Sequence, residues 1–99
     1  MREYSLVQTA RLLENRLPKD AVVLVDDDDD AQELAFLTRM TCYNTNWLSR
    51  HFNAVNPRQM ADLIRSHGRQ PFLVSSHALP LKEIAMNAVE NRHIYQLEP

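Results

Sequence analysis

The junction at residue 25 constrains the fold more than any other feature of the sequence. Five apolar residues at 21–25 are followed directly by five aspartates at 26–30. An uninterrupted apolar run of this length is typical of a strand buried on both faces, as in a parallel sheet covered by helices. The aspartates then lie at the carboxyl end of that strand, which is the edge where open α/β sheets carry their binding sites.

Apolar spacing and helix-breaking residues predict the neighbouring elements. Segment 3–17 has the spacing of an amphipathic helix, which Pro18 would end. A second helix is predicted to start inside the aspartate run with Asp29 or Asp30 as its cap, because aspartate is a good capping residue and carboxylates favour the first turn of a helix. Asn56, followed directly by a proline, predicts the start of another helix.

Shorter patterns predict the remaining elements. Segment 47–52 is compatible with an edge strand or a helical turn, and a strand is favoured. The apolar run at 71–74 predicts a second buried strand. Pro80 predicts the start of a helix that ends near residue 91, and the alternation at 93–97 predicts a final strand.

Strands that alternate with helices imply crossover connections and a mostly parallel sheet. The expected fold is therefore a single α/β domain over residues 1–99. It would contain three or four mostly parallel strands with helices on both faces, and the first 17 residues would hold an additional N-terminal amphipathic helix.

Composition excludes several classes of protein. The single glycine, Gly68, excludes glycine-rich phosphate loops. A net charge of −2 gives no overall attraction to nucleic acid or to an anionic membrane, and neither is expected as a partner. The single cysteine, Cys42, and an N-terminus without the layout of a signal peptide indicate a cytoplasmic protein.

The aspartate run is the first candidate site. Asp26 and Asp27 could bind Mg²⁺, which prefers carboxylate oxygens. The alternatives are a helix start with a solvated acidic loop, or an acidic patch that docks a basic partner. No cofactor other than this possible Mg²⁺ is expected.

A second candidate site follows the strand at 71–74. Ser75 and Ser76 precede His77, but neighbours in an extended segment point to opposite sides, and no glycine supports a nucleophile turn. A polar strand end or a helix cap is therefore favoured over catalysis. The four histidines lack zinc-ligand spacing.

An aromatic cluster lies in the middle of the chain. Tyr43, Trp47 and Phe52 are interpreted as core or interface residues rather than as a platform for nucleic-acid bases. The reason is that the surrounding charge is not strongly basic.

Three segments give the chain a resemblance to receiver domains of response regulators. Residues 23–28 resemble the family's first strand and acidic pair. Residues 54–56 and the apolar positions that follow resemble the end of its second strand and its second helix. Residues 72–80 resemble the third strand, which in that family carries the phosphorylated aspartate four residues before a proline.

The chain departs from the receiver family at the positions that the family's phosphorylation requires. Ser75 or Ser76 stands at the acceptor position, since Pro80 lies four residues after Ser76. In a second registration, Glu98 replaces the family's lysine and the acceptor strand is deleted. Under both registrations the resemblance implies a degenerate receiver that is not phosphorylated. The N-terminal helix would then cover the sheet face that the family's last helix covers.

These observations predict a non-catalytic regulatory module that acts through protein–protein contacts. The chain may stand alone or form the N-terminal part of a longer regulator. The alternatives are a small Mg²⁺-dependent phosphotransfer or hydrolytic domain that uses Asp26–Asp30, and a free-standing acidic inhibitor of a basic protein.

A two-fold homodimer is expected, with two candidate surfaces. One is the apolar stripe of the N-terminal helix. The other is the helix predicted over 80–91 together with the last strand, where Met86, Tyr95 and Leu97 would be partly uncovered. The stripe of the N-terminal helix consists of Leu6, Ala10, Leu13 and Leu17, with Val7 beside it.

Overall fold

The computed structural model describes residues 4–99 as a three-layered α/β fold. Within these residues, four helices cover a five-stranded sheet. The helices are α1 (Val7–Arg16), α2 (Asp28–Leu37), α3 (Thr45–Phe52) and α4 (Pro57–Ser66), and the strands are β1 (Ala21–Val25), β2 (Thr41–Asn44), β3 (Gln70–Ser75), β4 (Lys82–Asn87) and β5 (Arg92–Gln96).

The sheet is mixed and has the strand order β2-β1-β3-β5-β4. β1 pairs in parallel with β2 and β3, whereas β5 pairs antiparallel with both β3 and β4. The prediction of an α/β fold with a buried central strand at 21–25 is confirmed. The expected three or four mostly parallel strands are corrected to five strands, in which half of the pairings are antiparallel.

The difference arises from segment 80–91, for which the helix prediction was wrong. The segment forms β4 and a turn that leads back into β5. The Asn87 side chain accepts a hydrogen bond from the Glu90 amide at 2.8 Å, and Asn91 adopts a left-handed φ of 54°. Asparagine tolerates this conformation, so the turn closes a hairpin, and pairing with β5 prevails over the helical spacing of the apolar residues.

The strand prediction for 47–52 was also wrong, because α3 begins earlier and includes these residues. The Asn44 side chain caps the helix by accepting hydrogen bonds from the amides of Asn46 at 3.0 Å and Trp47 at 3.3 Å. The edge strand of this region is β2, which ends at the capping residue Asn44. Residues 54–56, which resemble a strand end in the receiver family, belong to the connection between α3 and α4.

The side chains of β1 and β3 alternate between two apolar layers. α1 and α2 cover one face of the sheet, and α3 and α4 cover the other, so the prediction of helices on both faces is confirmed. The first layer contains Leu6, Ala10, Leu13, Leu17, Ala21, Val23, Val25, Ala31, Leu34, Phe72, Val74 and Ile94. The second contains Val22, Leu24, Leu48, Ala54, Met60, Ala61, Ile64, Leu73, Tyr95 and Leu97.

The N-terminal helix is an integral part of this fold. Its stripe, expected as a dimer surface, is buried against the chain's own sheet and α2. Because these side chains are buried within the chain itself, the prediction that they form an interface is corrected, and they are core residues. The buried stripe consists of Leu6, Ala10, Leu13 and Leu17.

The second expected dimer surface is only partly available. Tyr95 and Leu97 are buried in the layer formed with α3 and α4, whereas Met86 is exposed. No helix within residues 4–99 is long and apolar enough to cross a membrane.

Candidate functional site

Two places in the fold collect polar or exposed groups that the core does not require. The first is the carboxyl edge of the parallel strands. After β1 the chain enters α2 on one face, whereas after β3 it packs Leu79 and Leu81 against the layer on the other face. Such a divergence opens a crevice between the two strand ends, where α/β folds place ligands.

Two of the candidate residues meet in this crevice. The Ser75 hydroxyl donates a hydrogen bond to Asp26 Oδ2 at 2.6 Å and accepts one from the His77 amide at 3.0 Å. Ser75 is only 1% exposed, so its hydroxyl is enclosed and fully partnered. Ser76 lies beyond the end of β3 and is half-buried. The pair Asp26–Ser75 therefore ties the end of β1 to the end of β3.

The other aspartates have separate structural roles. Asp27, and not the predicted Asp29 or Asp30, caps α2 by accepting a hydrogen bond from the Asp30 amide at 2.9 Å. Asp30 itself binds Arg92 of β5 through two hydrogen bonds of 2.7 and 3.2 Å. The Asp30 carboxylate raises the pKa of the Arg92 guanidinium, since the hydrogen bond favours its charged form. Asp28 accepts a bond from the Gln32 side chain at 3.2 Å.

Asp26 and Asp27, the two carboxylates expected to bind Mg²⁺, accept their hydrogen bonds from different elements, β3 and α2. No group of three or more histidine, cysteine or acidic side chains is arranged to hold a metal ion within residues 4–99. Asp26 does border a cavity of about 230 Å³ at the carboxyl edge. The cavity is lined by Leu24, Asp26, Thr45, Asn46, Ser49, Val55, Pro57, Met60, Leu73 and Leu79.

The second place is an aromatic surface on α3 and β2. Trp47 stacks between Tyr43, with ring centroids 5.6 Å apart, and His51, at 4.5 Å. Phe52 meets Trp47 at 5.7 Å in a tilted arrangement. We call these four residues the α3 surface. Tyr43, Trp47 and Phe52 are 38%, 42% and 52% exposed, so the rings pack on one another but not in the core.

A cavity of about 250 Å³ opens beside the α3 surface, between α3, α4 and β2. Its walls are apolar or aromatic, and His67 and Arg69 lie at its end. Arg69 is held there by hydrogen bonds from its guanidinium to the carbonyl oxygens of Asp20 at 2.8 Å and Ala21 at 3.4 Å. The lining consists of Val22, Thr41, Tyr43, Trp47, Leu48, Phe52, Leu63, Ile64, His67 and Arg69.

The charge around this surface is basic, contrary to the expectation from the whole chain. Residues 39–69, which build β2, α3 and α4, contain five arginines and a single carboxylate, Asp62. Arg39, Arg50 and Arg58 are exposed. The acidic excess of the chain lies elsewhere, mainly in 26–30, so the molecule has one basic half and one acidic edge.

Sequence reasoning named Tyr43, Trp47 and Phe52 as core or interface residues. It did not include His51, and it assigned residues 47–52 to a strand. A signal for the helix was present: Trp47 and His51 are four residues apart, a spacing that places both side chains on one side of a helix. The Asn44 cap, directly before Thr45, would have supported the helix.

Comparisons with protein-family models, with curated proteins and with solved structures gave no match. The order β2-β1-β3 with parallel pairing is the same as in the first half of flavodoxin-like sheets, whereas the antiparallel β5 and β4 depart from them. α1 packs on the same face as α2, over the sheet.

Proposed function

We propose that this chain is a non-catalytic regulatory module that acts through protein–protein contacts. The observation that carries the proposal is the α3 surface, where three large apolar side chains remain between one-third and slightly more than one-half exposed. Soluble proteins seldom leave such side chains grouped together unless another molecule covers them.

The composition of this surface supports a protein partner. Tyrosine, tryptophan and arginine are the residues that contribute most often to the binding energy of protein interfaces. Tyr43 belongs to β2, and Arg50 follows Trp47 by three residues on α3. Arg69 lines the cavity that Tyr43 and Trp47 border. Aromatic side chains together with arginines on the same elements have a composition typical of an energetically important interface patch. A cytoplasmic location is part of the proposal, because Cys42 is the chain's only cysteine.

The arrangement at the carboxyl edge favours regulation over the Mg²⁺-dependent alternative. Asp27 and Asp30 each bind a backbone or side-chain group of the fold, and Asp26 accepts its bond from Ser75. The Asp27 bond caps α2, whereas the bonds of Asp26 and Asp30 join the end of β1 to β3 and α2 to β5.

Affinity capture with quantitative mass spectrometry tests the proposal. The wild-type chain is compared with Trp47→Ala, and with Phe36→Ala as the matched control, since Phe36 is 71% exposed beside Tyr4. We expect Trp47→Ala to lose bound protein, including any added second copy of the chain, while Phe36→Ala retains it. The proposal fails if Trp47→Ala changes neither the proteins captured nor self-association.

A further inference from the structure

We propose that the α3 surface and the outer edge of β2 form a two-fold interface with a second copy of this chain. The inference rests on the proposed function and names the partner. It follows from three properties of this side of the molecule: an unprotected strand edge, an aromatic patch above that edge, and opposite charges at its two ends.

The two edge strands of the sheet differ in their protection. β4 has a register irregularity between Glu83 and Ala85, and Lys82 and Glu83 are charged and exposed. Irregularities and charges of this kind prevent an edge from pairing with another chain. β2 has the sequence Thr-Cys-Tyr-Asn, carries no charge and pairs with β1 alone among the strands of residues 4–99. Only the β2 edge is therefore left ready to pair.

Antiparallel pairing of two β2 strands about a two-fold axis would continue the sheet from one copy into the other. Neighbouring strands lie about 4.8 Å apart. Because α3 packs on β2, such an axis brings the two α3 helices next to each other on the same face of the joined sheet. The exposed rings of Tyr43, Trp47 and Phe52 are then the side chains that fill the space between the helices.

The charges along this side are complementary under the same symmetry. Arg39 precedes β2 at one end, whereas the aspartate run begins level with the other end, since Val25 pairs with Asn44. Antiparallel pairing places the arginine end of each copy beside the acidic end of the other. Because unlike charges then meet at both ends of the strands, antiparallel pairing of the two copies is favoured over parallel pairing.

Sedimentation equilibrium tests the inference, from micromolar to millimolar concentration. We expect the wild-type chain to reach twice its monomer mass of 11.5 kDa. Trp47→Ala should remain a monomer with an unchanged circular dichroism spectrum, and the Phe36→Ala control should dimerise as the wild type does. Arg39→Glu should weaken the dimer at least tenfold, and a second change, Asp28→Arg, should restore part of that loss.

Amide hydrogen exchange then locates the contact. In the dimer, whichever of the Cys42 and Tyr43 amides faces away from β1 should exchange more slowly, while the amides of β4 should not change. A dimer that survives both Trp47→Ala and Arg39→Glu, or that protects β4 instead, would overturn the proposed surface.

The remaining outcomes separate this inference from the proposed function. A wild-type chain that stays monomeric at the highest concentration overturns the second copy as the partner. If that monomer still captures other proteins in a Trp47-dependent manner, the proposed function stands with a different partner. A monomer whose α3 surface binds a short oligothymidylate instead would contradict both.

Discussion

At the scale of single residues, the sequence places Asp26 and Ser75 at the ends of two strands, and the structure joins them. The bond of 2.6 Å between them satisfies a hydroxyl that is otherwise enclosed by the core. The same hydroxyl accepts the amide of His77, so one small side chain holds the start of the β3–β4 connection. A buried polar group with two partners is costly to remove, because both partners lose a bond at once.

Ser75→Ala should therefore lower the free energy of unfolding by about 1–3 kcal/mol, since it leaves the Asp26 carboxylate and the His77 amide without this partner. Urea unfolding followed by circular dichroism measures the change. Ser76→Ala is the matched control and should shift stability by less than about 0.5 kcal/mol. Equal midpoints for the two variants would contradict the structural role of Ser75.

The thiol of Cys42 gives a prediction about pH. Burial raises its pKa from 9.0 to about 11, partly offset by a hydrogen bond with the Thr38 side chain. The folded state thus favours the neutral thiol. The resulting stability is fully present below pH 9 and is lost as the pH rises toward about 11.

Alkylation of Cys42 by iodoacetamide at pH 8 should accordingly be much slower in the native protein than in urea, because the thiolate is the reactive form. Cys42→Ala should also make the free energy of unfolding less dependent on pH between 9 and 11. Equal alkylation rates in native and unfolded protein would show that the thiol is not buried as described.

At the scale of elements, the amides at the start of α1 find their hydrogen-bond partners on residues distant in the sequence. Leu6 at its N-cap provides no side-chain cap. The Leu6 amide instead donates to Glu33 of α2 at 2.5 Å, and the amides of Gln8 and Thr9 donate to Glu90, in the β4–β5 turn, at 2.9 and 2.6 Å. Two carboxylates from other elements therefore satisfy amides that a helix start leaves unpaired.

Glu90→Ala should destabilise the protein by about 1.5–3 kcal/mol, the usual range for hydrogen bonds to a charged group, and should act first at α1. Faster hydrogen exchange of the Gln8 and Thr9 amides is the expected signature. Glu14→Ala, which changes an exposed carboxylate on the same helix, is the control. If both variants leave these amides equally protected, Glu90 does not anchor the helix.

At the scale of the whole molecule, β1 contributes side chains to both apolar layers of the fold. It lies between β2 and β3, and its side chains enter both apolar layers. Val23 enters the layer covered by α1 and α2, and its neighbours Val22 and Leu24 enter the layer covered by α3 and α4. A charge introduced here has no polar partner on either face.

Val23→Asp should unfold the chain, because an unpaired buried carboxylate costs several kcal/mol against a total stability of about 5–15 kcal/mol. Loss of the cooperative thermal transition is the expected result. Asp29→Asn, which changes an exposed residue just beyond the strand, should leave the transition nearly unchanged. A normal transition for Val23→Asp would mean that residues 21–25 are not the central strand.

The sequence by itself determined β1, β3, β5, α2, α4 and the body of α1, because each is specified by local apolar spacing or by a cap within a few residues. It also placed Asp26 and Ser75 at strand ends. The start of α1 at Val7, rather than at the predicted residue 3, depends on the distant carboxylates of Glu33 and Glu90. That segment 82–87 is a strand and segment 45–52 is a helix required the tertiary structure. The helical spacing of 84–89 is also compatible with a hairpin strand, and only pairing with β5 selects between them.

The burial of the α1 stripe and the exposure of the α3 surface were likewise decided in three dimensions. An amphipathic stripe shows that a helix must cover apolar surface, but it does not state whether that surface belongs to its own chain or to another. Here Leu13 packs into the layer over Val23, with no exposed surface remaining. Trp47 stays 42% exposed because the short α3 has its neighbours on one side only, at the edge of the sheet.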